Sequence, residues 1–336
     1  MSGEDEPAAR SASVEGGGGE EGWVRHGVKL SSLDQEVFPG AGATKRDLLD
    51  YLEAVSGRML PELHDRLLSV VRVLRGQGPF MQKNLPKYTP EWVARRALWA
   101  DRSRREVTYA LCNDLRTLLW FGNQRAIEYH TALFRGDPFS GPTHLVLDLD
   151  PPEDGAFSLA VGAAKLVREA LRNDGLDGAV KTSGSKGVHV FVPLAPDQPV
   201  EDIAAATRAV AARAERIDPA LGTTEFVRER REGKVFLDST RAGGGTVVSV
   251  YSPRHRPGMP VSFPVRWADL DGVKPGDFTV HTVPGLLDGG DPWTEEMPEP
   301  VVLPEDLVAE GHTIPIARVA AMHEGKRRAR EARNSG

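Results

Sequence analysis

The sequence predicts an α+β domain, in which strands pair through tight turns and are mixed with helices. The first observation is residues 144–150, His-Leu-Val-Leu-Asp-Leu-Asp, where side chains alternate as they do along a strand. The second is residues 178–193, where two apolar stretches flank the turn Ser-Gly-Ser-Lys-Gly. The third is a pair of helical patterns, over residues 157–173 and the Ala-rich residues 201–216. Strands joined as hairpins and mixed with helices favour α+β over a doubly wound parallel sheet.

The other elements are read in the same way. Thr44, followed by Asp47, has the pattern of a helix N-cap ahead of a helically spaced apolar run. Residues 113–130 predict a second apolar helix. Residues 234–238 predict a further strand, which leads into the Gly-rich loop at 243–245.

The chain divides into three parts by composition. Residues 1–22 are acidic and Gly-rich and predict a disordered tail. Residues 23–293 form the expected folded domain, and residues 294–336 predict an acidic, Pro-rich linker followed by a basic helix or tail. Cys112 is the only cysteine, which excludes an intrachain disulfide. The sequence shows no apolar run of membrane-spanning length and no signal peptide, so we expect a cytoplasmic protein without a membrane partner.

The net charge of −6 is unevenly spread along the chain. Residues 1–22 contribute −5 and residues 291–310 contribute −7, while residues 311–336 contribute +4. The remaining body therefore carries +2, and its residues 60–116 hold eleven Arg or Lys against six Asp or Glu. A body with a local basic stretch is compatible with binding a phosphate backbone. A solvated surface is the alternative explanation of the same excess.

Asp148 and Asp150 are the main candidates for chemistry. Positions i and i+2 of a strand lie on one face, roughly 6.6 Å apart. Two carboxylates at that spacing can converge on a pair of divalent ions, as phosphoryl transfer requires. Two partly solvated Asp side chains at a strand end are the alternative. Asp238, at the end of the strand over 234–238, offers a third carboxylate to the same site.

The hairpin turn has the composition of an anion-binding loop. Gly184 and Gly187 allow backbone N–H groups to point inward, and Lys186 adds a charge. The spacing differs from a Walker loop, and a plain Ser/Gly turn remains the alternative. His189 follows on the strand and is expected to face the same side as the turn, although a structural histidine would fit there as well.

In order along the chain, these motifs resemble the archaeo-eukaryotic primase superfamily, and within it the polymerase domain of bacterial ligase D, the DNA end-joining enzyme. The similarity runs from about residue 28 to residue 293. It is carried by residues 44–49, 79–83, 113–120, His130, 147–151, 181–187, 235–238, 251–254 and 290–293. The resemblance implies a primase-polymerase fold, with mixed and antiparallel sheets flanked by helices.

The resemblance also implies roles for individual residues. The catalytic carboxylates that would hold two divalent ions, Mn²⁺ or Mg²⁺, are Asp148, Asp150 and Asp238. The residues that would bind the incoming nucleotide are His130, Ser183, Gly184, Ser185, Lys186, His189, Arg231 and Arg254. Phe80 would stack on the template, and Lys45 and Lys83 would contact DNA phosphate.

Three positions depart from the family pattern. Gln35 stands where a Lys is usual near the pocket for a downstream 5′-phosphate, so we expect weaker recognition of that phosphate. Met81 replaces the second aromatic residue of a Phe-Phe pair. The run after Asp238 is Ser-Thr-Arg-Ala-Gly-Gly-Gly instead of the usual aromatic- and Asn-containing run.

The function implied by the resemblance is template-directed nucleotidyl transfer by a primase-polymerase, with a preference for ribonucleotides, at DNA gaps or double-strand breaks. The expected partners are gapped or broken DNA, NTP or dNTP and, at the nucleoid, Ku and a separate DNA ligase. Because a Lys-x-Asp-Gly ligase motif is absent, we expect a stand-alone polymerase without ligase activity. The rival functions are a metal-dependent phosphodiesterase or nuclease, and a non-catalytic DNA-end or Ku-binding module.

Overall fold

The computed structural model describes residues 23–100, 104–136, 140–153, 156–243 and 245–316. The tail predicted at 1–22 and the basic helix or tail predicted beyond 316 lie outside these residues. The described residues form two six-stranded sheets. A two-stranded hairpin of β1 (Val24–Arg25) and β2 (Val28–Lys29) precedes them in the sequence.

Sheet I has the spatial order β13-β7-β3-β6-β5, with β4 paired to β3. Its strands are β3 (Leu67–Arg72), β4 (Phe80–Gln82), β5 (Arg95–Ala100), β6 (Arg105–Leu111), β7 (Ala126–Ala132) and β13 (Thr246–Val248). All its pairings are antiparallel.

Sheet II has the spatial order β11-β12-β8-β10-β9-β14. Its strands are β8 (His144–Asp150), β9 (Ala179–Thr182), β10 (Val188–Pro193), β11 (Gly222–Thr223), β12 (Val235–Asp238) and β14 (Pro264–Val265). Only the pair of β11 and β12 is parallel. The predicted α+β class with mixed and antiparallel sheets is confirmed.

Seven α-helices flank the sheets in the part of the chain that the structure describes. They are α1 (Lys45–Ala54), α2 (Ser56–Leu63), α3 (Leu115–Asn123), α4 (Phe157–Arg172), α5 (Val200–Ile217), α6 (Pro292–Glu296) and α7 (Glu305–Thr313). The helix α1 begins at the predicted cap, where Thr44 and Asp47 form a capping box. No helix among the described residues is both long and apolar enough to cross a bilayer.

The helix predicted over 113–130 is shorter in the structure. The helix α3 ends at Asn123, and Arg125 then adopts a φ of +60°, which turns the chain into β7. Ile127 therefore belongs to a buried strand of sheet I. An apolar run of mixed helix and strand residues has no clear period, which is why the sequence pattern did not separate the two elements.

Helices α4 and α5 cover one face of sheet II and bury the apolar side of β8. Leu145, Leu147 and Leu149 are fully buried on that side. Because side chains alternate along a strand, Asp148 and Asp150 are directed to the opposite side of the sheet. The packing of α4 and α5 thus determines which face of sheet II remains open.

The segment predicted as an acidic linker, 294–310, is packed structure. The Val301 amide donates to the carbonyl of Pro193 at 3.1 Å, and Leu303 and Leu307 are buried. The helix α7 lies so close to α5 that a Cβ at Gly311 would be 1.9 Å from the carbonyl oxygen of Ala205. Glu305 and Asp306 of α7 are exposed, whereas Glu310 pairs with Arg213 and Arg216 of α5. Acidic composition alone did not distinguish this packed helix from a linker.

We therefore expect Gly311→Ala to destabilise the protein by about 1–3 kcal/mol, the usual cost of overpacking a close contact. The matched control is Gly57→Ala in α2, where nothing lies within 4 Å of the added Cβ. That change should stabilise by about 0.5–1 kcal/mol, since alanine is the better helix former. Urea unfolding of both variants measures the two effects, and equal stability of the variants would contradict the packing of α7.

Candidate active site

A cleft of about 450 Å³ lies between the two sheets and collects most of the predicted site residues. The predicted residues that line it are His130, Asp148, Asp150, Ser183, Ser185, Lys186, His189, Arg231, Asp238 and Arg254. His130 comes from β7 of sheet I, whereas Asp148 comes from β8 of sheet II. Residues up to 124 positions apart in sequence are thus brought into one pocket.

The three carboxylates lie on neighbouring strands of sheet II. Asp148 of β8 is paired in register with Asp238 of β12 on one side and with His189 of β10 on the other. Residues opposite one another in an antiparallel pair direct their side chains to the same face. Asp150, two residues on, shares that face. The predicted convergence of the three carboxylates follows from this register.

Asp148 and Asp238 are joined by Arg241, which is a residue that the sequence analysis did not place in the site. One guanidinium nitrogen, Nη2, lies 2.6 Å from Oδ2 of Asp148 and 3.1 Å from Oδ2 of Asp238. Burial alone would raise the pKa of Asp148, but His189 and Arg241 hold it well below its usual range. Asp148 is therefore ionised throughout the physiological pH range.

Asp150 has two cations of its own. The Nζ atom of Lys186 lies 3.0 Å from its Oδ1 and also donates to the carbonyl of Pro151 at 2.9 Å. Arg231 lies 3.9 Å from its Oδ2 and stacks over the ring of Phe236, 3.8 Å from the centroid. The side chain of Asp150 remains 41% exposed, so it faces the cleft and not the core.

The hairpin between β9 and β10 is built around Ser183. Its hydroxyl accepts hydrogen bonds from the amides of Ser185 at 3.2 Å and Gly187 at 3.0 Å. Those two N–H groups, which were expected to point toward an anion, are thus used within the turn. Gly184 has a φ of +66°, and a Cβ there would lie 2.7 Å from the amide nitrogen of Ser262. The turn therefore requires glycine at 184.

Behind the carboxylates, a buried lysine supports His189. The Nζ atom of Lys181 lies 3.0 Å from Nδ1 of His189 and donates to the hydroxyl of Ser262 at 2.6 Å. The other ring nitrogen of His189, Nε2, lies 3.2 Å from Oδ1 of Asp148. Burial and the charge of Lys181 lower the pKa of His189 to about 4. The neutral ring accepts from Lys181 at Nδ1 and donates to Asp148 from Nε2.

On the sheet I side, Glu128 holds two of the predicted nucleotide-binding residues. Its carboxylate lies 2.8 Å from Nε2 of His130 and 3.2 Å from Nε of Arg254, and it accepts the amide of His255 at 2.9 Å. Burial would raise the pKa of Glu128, but the bond to His130 and the charge of Arg254 lower it to about 2. Glu128 was missed, although its position two residues before His130 on one strand was a readable signal.

The residues predicted to contact DNA lie outside the cleft. Phe80 and Lys83 are exposed and line a second groove with Arg105 and Tyr109. Lys45 is buried, with its Nζ 3.4 Å from the hydroxyl of Ser31.

Gln35, at the position where a lysine is usual, accepts a hydrogen bond from Nη2 of Arg125 at 2.8 Å. Burial and this nearby Arg125 lower the pKa of Lys45 to about 8. Arg125 is thus a second cation near Lys45, and the sequence analysis assigned it no role.

Oxygen ligands from Asp148, Asp150 and Asp238 are the type that Mg²⁺ and Mn²⁺ prefer. In the arrangement that the structure shows, however, no group of three His, Cys, Asp or Glu side chains among the described residues is placed to coordinate one metal ion. Arg241 lies between two of these carboxylates, Asp148 and Asp238. The donor set fits a divalent ion, provided that the internal cations rearrange.

Comparison with known proteins identifies the class. Residues 44–293 match the model of the LigD primase-polymerase domain, and the chain therefore belongs to that family. The predicted resemblance is confirmed. Membership in a primase-polymerase family implies nucleotidyl transfer with metal-dependent catalysis.

Individual relatives agree with this assignment. The bifunctional non-homologous end joining protein LigD of Bacillus subtilis is 33% identical over 261 residues, which are 76% of this chain and 42% of the relative. The multifunctional non-homologous end joining DNA repair protein LigD of Mycobacterium tuberculosis is 37% identical over 257 residues, 73% of this chain and 33% of the relative. The chain thus spans less than half the length of either protein.

A solved structure, the polymerase domain from Mycobacterium tuberculosis ligase D in complex with DNA, superimposes with a TM-score of 0.71 at 33% identity. The match covers 81% of this chain and 99% of the other. It confirms the α+β fold, with mixed and antiparallel sheets and helices.

The low pKa of Glu128 leads to a prediction about acid stability. A carboxyl group with a folded pKa of about 2 and an ordinary value of 4.5 stabilises the fold by about 3 kcal/mol above pH 4.5. That contribution is lost as the pH falls from 4.5 toward 2. Glu128→Gln lacks it at every pH, so the stability gap between wild type and variant should shrink by about 1 kcal/mol between pH 6 and 3.5.

Urea unfolding at the two pH values measures this gap. Glu232→Gln is the control, because Glu232 has a side chain that is 75% exposed and pairs with Lys234 at 3.6 Å. It should show no pH-dependent gap. A gap for Glu128→Gln that is constant with pH would contradict the ion-pair cluster around Glu128.

Proposed function

We propose that the protein is a template-directed nucleotidyltransferase that adds nucleotides to a DNA primer at gaps or broken ends. The observation that carries the proposal is the cleft itself, where three carboxylates and the cations Lys186, Arg231 and Arg254 line one pocket of a LigD primase-polymerase fold. The primer 3′-hydroxyl would attack the α-phosphorus of the nucleotide, and pyrophosphate would leave.

The carboxylates Asp148, Asp150 and Asp238 would hold two divalent ions, Mn²⁺ or Mg²⁺. When bound, such ions supply charge stabilisation to the transferring phosphoryl group. The role of Lys186 and Arg231 would be to bind the triphosphate, since both face the cleft beside Asp150.

Further residues would bind and orient the nucleotide on the opposite side of the cleft. Arg254 and His130 are held in place there by Glu128. Ser183, Gly184 and Ser185 would form part of the nucleotide pocket, because Ser183 and Ser185 line the same cleft as the carboxylates. His189 would orient Asp148 from behind.

DNA would lie along the groove that contains Phe80 and Lys83, which is formed by β4, β5 and β6 of sheet I and lies outside the cleft. An exposed aromatic ring beside a lysine suits stacking on a template base and contact with its phosphate. A preference for ribonucleotides, cooperation with Ku and sealing by a separate ligase belong to the proposal through the family resemblance alone.

A phosphodiesterase or nuclease would also use three carboxylates. The cations on the triphosphate side of the cleft favour polymerisation, because hydrolysis of a diester has no triphosphate to bind. Extension of a labelled primer on gapped DNA with NTPs and Mn²⁺ separates the two functions. Longer products support the proposal, whereas shortened primers or an unchanged primer contradict it.

Asp148→Asn and Asp150→Asn should each reduce primer extension to below about a hundredth of wild type, because each removes a charge that the phosphoryl transfer depends on. Both variants should keep the wild-type circular dichroism spectrum, since the two side chains face the cleft and not the core. Asp202→Asn on α5, where the carboxylate pairs with the exposed His312, is the control and should remain active. Extension near the wild-type rate in either site variant would contradict the roles of these residues.

The arrangement around Lys45 predicts a weak, pH-dependent preference for a downstream 5′-phosphate. Losing one charge-assisted hydrogen bond, at Gln35, should cut the preference by about tenfold relative to a protein with lysine at that position, equivalent to about 1.4 kcal/mol. Only protonated Lys45 attracts the phosphate, and its pKa is about 8. The preference should therefore fall as the pH rises from 7 to 9.

Binding at fixed salt to two gapped duplexes that differ only in the 5′-phosphate measures this preference. Lys45→Met should remove the pH dependence, whereas the control Lys87→Met, at an exposed position, should keep it. A preference of a hundredfold or more, or one that is constant between pH 7 and 9, would contradict the prediction.

A further inference from the structure

Arg241 occupies the space between two carboxylates on adjacent strands. Its Nη2 atom bridges Oδ2 of Asp148 and Oδ2 of Asp238, at 2.6 and 3.1 Å. Thr240 donates its amide and its hydroxyl to the other oxygen of Asp238, at 2.8 and 2.6 Å. Asp238 is therefore fixed with its Oδ2 directed at the guanidinium.

The way in which Arg241 is held differs from that of the other cations at the carboxylates. Lys186 also donates to the carbonyl of Pro151, and Arg231 donates to the backbone carbonyls of Glu225 and Phe226. Both are thus anchored to the main chain.

The Nε atom of Arg241, by contrast, is buried without a hydrogen-bond partner. An unsatisfied buried donor is costly, so the position of the guanidinium depends mainly on its attraction to the two carboxylates. Whatever binds those carboxylates more strongly can displace it.

A divalent ion shared by Asp148 and Asp238 would need this same space. Mg²⁺ lies about 2.0–2.1 Å from its oxygen ligands, well within the volume that the Arg241 nitrogen fills. A guanidinium and a divalent ion cannot both lie between the same pair of oxygen atoms, because they would repel at very short distance. The pair would therefore accommodate only one of the two at a time.

We propose that Arg241 is an internal competitor for divalent metal, whose side chain must leave Asp148 and Asp238 before an ion can bind between them. This inference rests on the proposed metal role of the three carboxylates. The protein would bind its metal less tightly than its carboxylates alone allow, because the competent arrangement is only a fraction of the population. Arg241 would thereby determine the metal concentration at which the enzyme becomes active.

Titration of the full chain with MnCl₂ in a calorimeter, without DNA or nucleotide, tests the proposal. Arg241→Gln should lower the Kd for Mn²⁺ by about tenfold or more, which equals about 1.4 kcal/mol. The variant should also melt at a lower temperature than wild type in EDTA and gain more from Mn²⁺, since its two carboxylates then lack a cation. An unchanged Kd would overturn the proposal.

Arg228→Gln is the control for net charge, because Arg228 is exposed and lies close enough to Arg231 to lower the pKa of that residue. It should change the Kd by less than about twofold, and an effect as large as that of Arg241→Gln would overturn the positional argument. If Arg241→Gln unfolds, Arg241→Lys serves instead. Lysine lacks the planar guanidinium that bridges the two carboxylates. The Arg241→Lys variant should therefore bind Mn²⁺ at least about threefold more tightly than wild type.

A double variant, Asp148→Asn with Arg241→Gln, separates this inference from the proposed function. If Mn²⁺ binding is lost in the double variant, the ion binds at these carboxylates. Binding that survives the loss of Asp148 means that the metal site was misassigned, which would overturn both proposals. Binding that depends on Asp148 but not on Arg241 would overturn the competition alone.

Discussion

Charge compensation around three carboxylates is the constraint on which the rest of the site depends. Asp148 and Asp238 face each other across paired strands, and Asp150 lies two residues away on the same face. Carboxylates in a partly buried cleft require nearby positive charge. The fold supplies it from loops that lie far apart in sequence, through Lys186 in the hairpin and Arg241 after β12. The register of sheet II places the acids together, and the loops around it supply the charge.

Sheet II was predictable because its signals are local. The alternating heptapeptide at 144–150 coincides with β8, and the turn at 183–187 joins two strands as expected. The strands of sheet I gave weaker signals, since β3 and β7 are buried on both faces and their sequences lack a regular alternation of apolar and polar residues. The end of α3 depends on a positive φ at Arg125, a residue type with no special tendency for that conformation. Packing, and not local preference, determines that turn.

The site could be predicted as a set of residues but not as a set of contacts. Ten predicted residues line one cleft, because family motifs mark positions independently of their partners. The contacts that these residues make with one another could not be predicted from the sequence. Lys186 and Arg231 were expected to bind phosphate, and the structure shows both beside Asp150. The supporting residue Lys181 was missed because it acts through His189 on the neighbouring strand, whereas Glu128, two residues before His130 on β7, was within reach of the sequence pattern.

These contacts suggest how ligand binding could be coupled within the cleft. Two divalent ions and a nucleoside triphosphate bring opposite charges of similar size, so their joint entry changes the net charge of the pocket little. Either one alone would leave a strong imbalance in a site that is already compensated. Ions that engage Asp148 and Asp150 would release Arg241 and Lys186 from them, and a triphosphate could then pair with the released cations. On this argument metal and nucleotide favour each other's binding, and thermodynamic linkage makes that effect reciprocal.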